Sequence, residues 1–212
     1  MKTEVLIRAL AQDAARPVVP VSRLVATGVF AGAAVSLLLF TLILRPRPDI
    51  AAALYSPGFC LKFAASACLA LTAAALLGAL ARPMPSHRSL GVLTLAPVML
   101  LIGVAVELAV LPGDTWHARL IGRNAPHCLA LIPLLATGPA MCLILALRRA
   151  APARPGLAGA VIGLAAGGIG AILYALTCPD DSPLFVAAWY SVAIVIVTGV
   201  CFMAGNGDAS GC

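Results

Sequence analysis

Six long apolar runs dominate the chain, and short polar or proline-rich segments separate them. Each run is long enough for a helix of about 20 residues, the length that crosses the roughly 30 Å hydrocarbon core of a bilayer. The pattern therefore predicts an all-α fold, a polytopic membrane helical bundle with six transmembrane helices. The predicted spans are residues 24–44, 58–81, 90–112, 127–147, 156–177 and 184–205.

The joints between the runs are too short to hold a soluble domain. The predicted organisation is a short N-terminal segment (residues 1–23), a membrane domain (24–205) and a short tail (206–212). Composition supports it, since 62% of the residues are hydrophobic, 10% are charged and the mean hydropathy is +1.04. A water-soluble domain of this size could not cover so much apolar surface, so the chain is a membrane protein.

The distribution of lysine and arginine predicts the orientation. Nine basic residues lie in segments on the side of the N-terminus, against five on the other side, and the richer side is usually cytoplasmic. Both termini are therefore predicted in the cytoplasm. The nine are Lys2, Arg8, Arg16, Arg23, Arg82, Arg88, Arg148, Arg149 and Arg154, and the five are Arg45, Arg47, Lys62, Arg119 and Arg123.

Lys62 and Glu107 are the charged residues within the six runs. Both lie near the predicted outer ends of adjacent antiparallel spans, at similar depth. A lone charge there is costly, so the positions predict an intramembrane ion pair between them. A structural pair is favoured over a proton or ion site, because the runs supply no third ionisable group.

The fifth run carries glycines at four-residue spacing, at Gly159, Gly163 and Gly167. Residues four apart share one helix face, and small residues there let a neighbouring backbone approach. This run is predicted to be a central packing helix.

The fifth and sixth runs are joined by CPDDSP at 178–183, on the predicted outer side. Pro179 and Pro183 mark a turn. Water and headgroups are expected to solvate Asp180 and Asp181. Residues 113–125, on the same side, allow either a short interfacial helix or an ordinary loop.

Cys128 opens the fourth run and Cys178 closes the fifth, so both thiols are predicted at the outer face. The outside of a bacterial inner membrane is oxidising. Three interpretations stay open: a structural disulfide, a redox switch, or a metal site. A metal site would draw on His127, Cys128, Cys178 and Asp180. No cofactor is expected.

The N-terminal segment contains TEVLIRALAQDAA at residues 3–15, which predicts a short amphipathic helix. Thr3 suits the N-cap, and Leu6, Ile7 and Leu10 cluster on one side. A helix of this length is not stable alone, so it lies on the bilayer or docks on a cytosolic partner.

Four stretches carry a family resemblance: TEVLIRALAQDAARPV, RPRPDIAAAL, HCLALIPLLA and CPDDSPLFVAAWY. Together they resemble the NrsF-like proteins, six-span inner-membrane anti-sigma factors of proteobacteria described as negative regulators of sigma F. The resemblance covers nearly the whole chain, from about residue 3 to about residue 200.

The resemblance implies a role that composition does not show. Such proteins hold an extracytoplasmic-function sigma factor at the membrane and release it under oxidative or heavy-metal stress. The family's paired periplasmic cysteines match Cys128 and Cys178, and its sigma-contacting segment matches residues 3–18. The expected contacts are Leu6, Ile7, Leu10 and Asp13. The implied protein is a multi-pass inner-membrane regulator without enzymatic activity or direct nucleic-acid binding.

Two other function classes stay open. A membrane thiol oxidoreductase would use the outer cysteines, although no vicinal cysteine pair is present. An ion-coupled transporter would depend on Lys62 and Glu107, although other intramembrane charges are missing.

Overall fold

The computed structural model describes residues 20–80, 91–148 and 154–209. Within these ranges the chain is helical without strands, and six helices are long and apolar enough to cross a membrane, which confirms the predicted fold class. The predicted N-terminal helix, with Leu6, Ile7, Leu10 and Asp13, lies outside the described residues. The six helices are α1 (Val21–Ile43), α2 (Pro57–Ala79), α3 (Val92–Val110), α4 (Ala125–Arg148), α5 (Pro155–Ala175) and α6 (Pro183–Gly207).

The centre of the bundle is α5, as its glycine pattern predicts. About 72% of its most apolar stretch is buried, against 11–44% in the other five helices. It packs on α6, α4 and α2. A Cβ atom at Gly159 or Gly163 would overlap the backbone of α6, and one at Gly168 would press on the backbone of α2. Glycine is therefore needed where the helices approach backbone to backbone.

Helix α1 packs on α4 at a proline. Pro139 has no N–H, so the carbonyl of Leu135, four residues earlier, loses its partner within the helix. The buried hydroxyl of Ser36 donates to that carbonyl at 2.5 Å. Gly32 lies against the Pro139 backbone and allows this approach. The interhelical hydrogen bond satisfies a carbonyl that the hydrocarbon could not.

One end of the bundle carries the segments between α1 and α2, between α3 and α4, and between α5 and α6. We call it the cysteine end. It includes two short helices, Ile50–Ala53 and Trp116–Ile121. The second confirms the short helix considered for residues 113–125. Helix α6 contains a π-helical turn at Val186–Tyr190, after its first three residues, and Trp189 Nε1 in this turn donates to Leu120 O at 2.8 Å.

Candidate functional site

The CPDDSP turn (residues 178–183) lies at the middle of the cysteine end, where several segments converge on it. The residue before it is held by the α1–α2 segment. Thr177 Oγ1 donates to Arg45 O at 3.0 Å, and Arg47 N donates to Leu176 O at 2.9 Å. The backbone of Asp181 lies against Gly58, where any side chain would collide. The turn is thereby fixed to α1 and α2.

Asp181 forms the central ion pairs of the turn. Its Oδ1 atom lies 2.6 Å from Lys62 Nζ, and its Oδ2 atom lies 2.7 Å from Arg47 Nη1. The exposed side-chain fraction is 0% for Lys62, 9% for Arg47 and 17% for Asp181. Lys62 Nζ also donates to the carbonyl of Cys178 at 2.9 Å. A buried lysine is costly without such partners, and the turn supplies them.

The predicted ion pair between Lys62 and Glu107 is therefore wrong. Similar depth places two residues at one level of the bundle but does not fix the face on which each lies. Lys62 lies on the face of α2 that meets the CPDDSP turn, where its ammonium group pairs with Asp181. The solvated carboxylates expected at Asp180 and Asp181 are likewise not found, because protein groups bind both.

Glu107 holds the start of α6. Its carboxylate accepts hydrogen bonds from Ser182 Oγ at 2.7 and 2.9 Å and from Leu184 N at 2.9 Å. A carboxylate is favoured at this position, since the first N–H groups of a helix lack partners and carry partial positive charge. Arg119 Nη1 lies 3.0 Å from Glu107 Oε1 and links the short helix Trp116–Ile121 to the same point. Glu107 is thus a structural acceptor at the turn.

Asp180 holds the start of α4. Its Oδ2 atom accepts from Arg123 N, Asn124 N and Asn124 Nδ2, each at 3.0 Å. The chain reverses just before, at Gly122, whose φ is 57°. A Cβ atom there would overlap the Phe185 ring, so glycine is required both by the backbone and by the space.

Arg47 is held in its protonated, positively charged form. Its hydrogen bond to Asp49 and the Asp181 carboxylate raise the pKa of Arg47 above its usual value, against the lowering effect of burial. The same hydrogen bond from Arg47 lowers the pKa of Asp49 to about 2. Both groups therefore stay ionised across the physiological range.

The two predicted cysteines meet beneath the turn. Cys128 and Cys178 are 0% and 1% exposed, and both are free cysteines. The two thiols interact, and both lie in one buried apolar cluster with Tyr174 and Tyr190, whose ring centroids are 5.8 Å apart. Two neighbouring thiols are the arrangement from which a disulfide can form.

Tyr190 completes this cluster. Its hydroxyl is buried near both thiols, and no hydrogen-bond partner for it is found among the described residues. Phe185 meets its ring edge-on at a centroid distance of 6.5 Å. The thiols are therefore enclosed by aromatic rings from α5 and α6.

Cys178 lies outside the membrane-spanning helices, and its surroundings favour the thiolate. The neighbouring Cys128 thiol lowers the pKa of Cys178 to about 7. Burial opposes this shift, and the positive charge of Lys62 supports it. At neutral pH a substantial fraction of Cys178 is therefore in the nucleophilic form.

The considered metal site is not assembled. His127 is exposed although Cys128 is buried, because successive residues of a helix point about 100° apart. Asp180 is occupied by the three donors before α4. The described residues contain no group of three or more His, Cys, Asp and Glu side chains that could hold a metal ion.

Sequence reasoning missed Arg47, Asn124 and Ser182 as members of this site, and it missed the cations that pair with Asp181. A signal was present, since the predicted topology placed Arg47, Lys62, Asp180, Asp181 and Glu107 at the same end. Treating cations and carboxylates of one end as mutual partners would have found the cluster, although not the individual pairs.

The chain matches the family model described as negative regulator of sigma F over residues 10–207. It is 35% identical over 208 residues to the anti-sigma-F factor NrsF of Caulobacter vibrioides, with 92% of each chain covered. It is 32% identical over 217 residues to the probable anti-sigma-F factor NrsF of Azospira oryzae, covering 97% of this chain and 98% of the relative. No solved structure matches it.

Proposed function

This chain belongs to the NrsF family of negative regulators of sigma F, and we propose that it is itself a membrane-bound anti-sigma factor. Two relatives with this name are 32–35% identical to it over nearly the full length. Its six apolar helices make it a multi-pass membrane protein. The role is regulatory rather than enzymatic, and the partner is a sigma factor.

The finer proposal concerns how the sigma factor is held. An extracytoplasmic-function sigma factor binds the N-terminal segment on the cytoplasmic side of a bacterial inner membrane. The amphipathic pattern of residues 3–15 supports this, with Leu6, Ile7, Leu10 and Asp13 as contacts. The segment precedes α1, which begins at Val21, so a movement of α1 reaches it directly.

The signal acts at the other end of the bundle, at Cys128 and Cys178. The observation that carries this proposal is the burial of two free thiols in one cluster under the CPDDSP turn. An oxidative signal fits better than a metal signal, because the described residues bring no third ligand to the pair. Oxidation would join the two sulfur atoms at about 2.05 Å.

The contacts of the turn supply a physical route to α1. Joining the sulfurs moves Cys178 relative to α4, and Asp181 follows because it lies a few peptide units further along the same turn. Asp181 is bound to Arg47, in the segment that leaves α1 at Ile43. A bundle with two arrangements, one favoured by the dithiol and one by the disulfide, would then release the sigma factor.

The alternative functions lose support in this geometry. An ion-coupled transporter would depend on Lys62 and Glu107 as a pair, but each is bound by groups of the CPDDSP turn. A thiol oxidoreductase would need a second pair of thiols beside the first. Cys60 does not supply one, because it is exposed and its thiol donates to Leu54 O, just before its own helix.

Sigma-dependent transcription in cells tests the proposal. We expect the double variant Cys128→Ser, Cys178→Ser to keep the target promoter silent under oxidant, while Cys60→Ser responds normally. We expect deletion of residues 1–18 to leave the promoter active without stress, provided that immunoblots show the truncated protein in the membrane. Normal induction of the double variant would remove cysteine sensing, and a silent promoter after the deletion would remove the proposed sigma contact.

A further inference from the structure

The two thiols of the pair are equally buried but differ in their electrostatic surroundings. Cys178 is part of the CPDDSP turn, and its carbonyl accepts from Lys62 Nζ at 2.9 Å and from Arg47 Nη1 at 3.5 Å. Cys128 lies in the first turn of α4, inside the apolar cluster with Ile132 and Leu135. Lys62 and Arg47 thus bind the backbone of one residue of the pair, and the charge of Lys62 acts on its thiol.

The buried cation of the turn is Lys62, which shares the carboxylate of Asp181 with Arg47. Arg47 has a second partner in Asp49, which is 57% exposed. The Asp180 carboxylate is bound by the neutral N–H groups of Arg123 and Asn124, and its charge opposes a thiolate at Cys178. The charge of Lys62 acts in the opposite direction and favours the thiolate.

From this arrangement we propose that Lys62 is a positioning residue that makes Cys178 the first thiol to react, with Cys128 as the second thiol that resolves the product. The inference rests on the proposed cysteine sensing and assigns an order to it. Lys62 acts through the charge state of Cys178 and does not itself touch the reacting group.

The order can be followed with methyl methanethiosulfonate, a small uncharged thiol reagent. The Cys178 thiolate attacks its sulfenyl sulfur, methanesulfinate leaves, and Cys178 carries an S-methyl disulfide. Cys128, losing its proton to water, then attacks the sulfur of Cys178. Methanethiolate leaves and takes up a proton, and the Cys128–Cys178 disulfide remains.

The first arm compares the two thiols in the purified full-length protein. Cys128→Ser leaves Cys178 alone with a hydroxyl in place of its neighbour, and Cys178→Ser does the converse. We expect peptide mass spectrometry to show that Cys178 is modified at least about tenfold faster than Cys128 at about pH 7. Equal rates would overturn the inference, since exposed fractions of 0% for Cys128 and 1% for Cys178 give neither thiol an advantage in access.

The second arm measures how the rate at Cys178 depends on pH, in the Cys128→Ser background. We expect a midpoint below that of an ordinary thiol, because the charge of Lys62 favours the thiolate at Cys178. Lys62→Met should raise the midpoint by about one pH unit or more, and Lys62→Arg should keep it. The facing groups are Lys62, Arg47, Asp180, Asp181, the residue at 128, Tyr174 and Tyr190.

The matched control is Glu107→Gln, which perturbs the same turn through Ser182 without changing a cation beside Cys178. Its midpoint should stay near that of the parent. An unchanged midpoint in Lys62→Met, in a protein that melts like the parent, would overturn the inference. If Lys62→Met does not fold, the first arm, which compares the modification rates of Cys178 and Cys128, still tests the inference.

These outcomes are separate from those of the proposed function. The chemical assay reads the thiols and not the sigma factor. A fast Cys178 in a protein whose cysteines are dispensable for induction would refute the sensing proposal alone. Normal induction that requires both cysteines, together with equal thiol rates, would refute the order of reaction alone.

Discussion

Lys62 Nζ lies 2.6 Å from Asp181 Oδ1, and the lysine side chain is fully buried. This pair joins α2 to the CPDDSP turn, and Arg47 extends it to the segment after α1. Three separate parts of the sequence thus converge on one carboxylate. The contact explains why a chain with 10% charged residues places an aspartate within the turn between its last two helices.

The first prediction is that Asp181→Asn destabilises the protein strongly. The change leaves Lys62 buried without its carboxylate, and breaking a buried pair on one side costs about 3–5 kcal/mol. We expect about 2–4 kcal/mol here, because Asp181 keeps 17% exposure and water can partly replace it. Thermal unfolding in detergent, followed by circular dichroism, measures the loss.

Asp49→Asn is the control for this prediction, since Asp49 binds the same Arg47 but lies in solvent. Its melting temperature should stay close to that of the wild type. Similar losses of stability in the two variants would show that the buried Lys62–Asp181 pair contributes no more to stability than the exposed Arg47–Asp49 pair.

The second prediction concerns Gly122, which has a φ of 57° and lies against Phe185. We expect Gly122→Ala to destabilise the protein by about 2 kcal/mol or more, because the backbone is strained and Cβ overlaps the ring. Gly113→Ala is the matched control, since nothing lies within 4 Å of a Cβ there. Equal melting temperatures for the two alanine variants would contradict the local geometry at Gly122.

Hydrophobic pattern alone predicts the membrane architecture, because span length and glycine spacing are local properties of the sequence. The six helices and the central position of α5 follow from it. The partners of Lys62 do not, because depth along a helix says nothing about the direction in which its side chain points. Asp181 was expected in water because its sequence position marks a turn. In the structure this turn packs against the helices, and that packing depends on the assembled bundle.

The cysteine site could be predicted only in part. Topology placed Cys128 and Cys178 at one end, and the structure brings both into one buried cluster. It does not bring His127 to them, because the His127 side chain points about 100° away from that of Cys128 around α4 and is exposed. Ser36 and Leu135 illustrate a further limit. The lone carbonyl can be inferred from Pro139, but the residue that satisfies it is 99 positions away.

The third prediction tests this hydrogen bond by a double-mutant cycle. Ser36→Ala should destabilise the protein by about 1 kcal/mol, because the Leu135 carbonyl loses its donor in an apolar surrounding. In a Pro139→Ala background the cost should fall to nearly zero, since the new backbone N–H at this position can donate to Leu135 O. Thermal melts of the four proteins give the coupling energy. Additive effects would mean that the Ser36 hydroxyl does not serve this carbonyl.

The last prediction is the pH dependence of disulfide formation between Cys128 and Cys178. The Cys178 pKa is lowered from its usual value of 9.0 to about 7, so the thiolate fraction rises with pH up to about 7 and then levels off. Below that midpoint each unit of acidification lowers the thiolate fraction about tenfold, whereas above it the rate should change little.

With a fixed excess of hydrogen peroxide, the Cys178 thiolate attacks one peroxide oxygen and hydroxide leaves. Cys128 then displaces water from the resulting sulfenic acid to close the disulfide. We expect the rate of this closure, measured by mass spectrometry after acid quenching and maleimide blocking, to be about tenfold lower at about pH 6 than at about pH 8. A rate that keeps rising about tenfold per unit up to about pH 9 would mean that Cys178 titrates like an ordinary thiol and that the CPDDSP turn does not activate it.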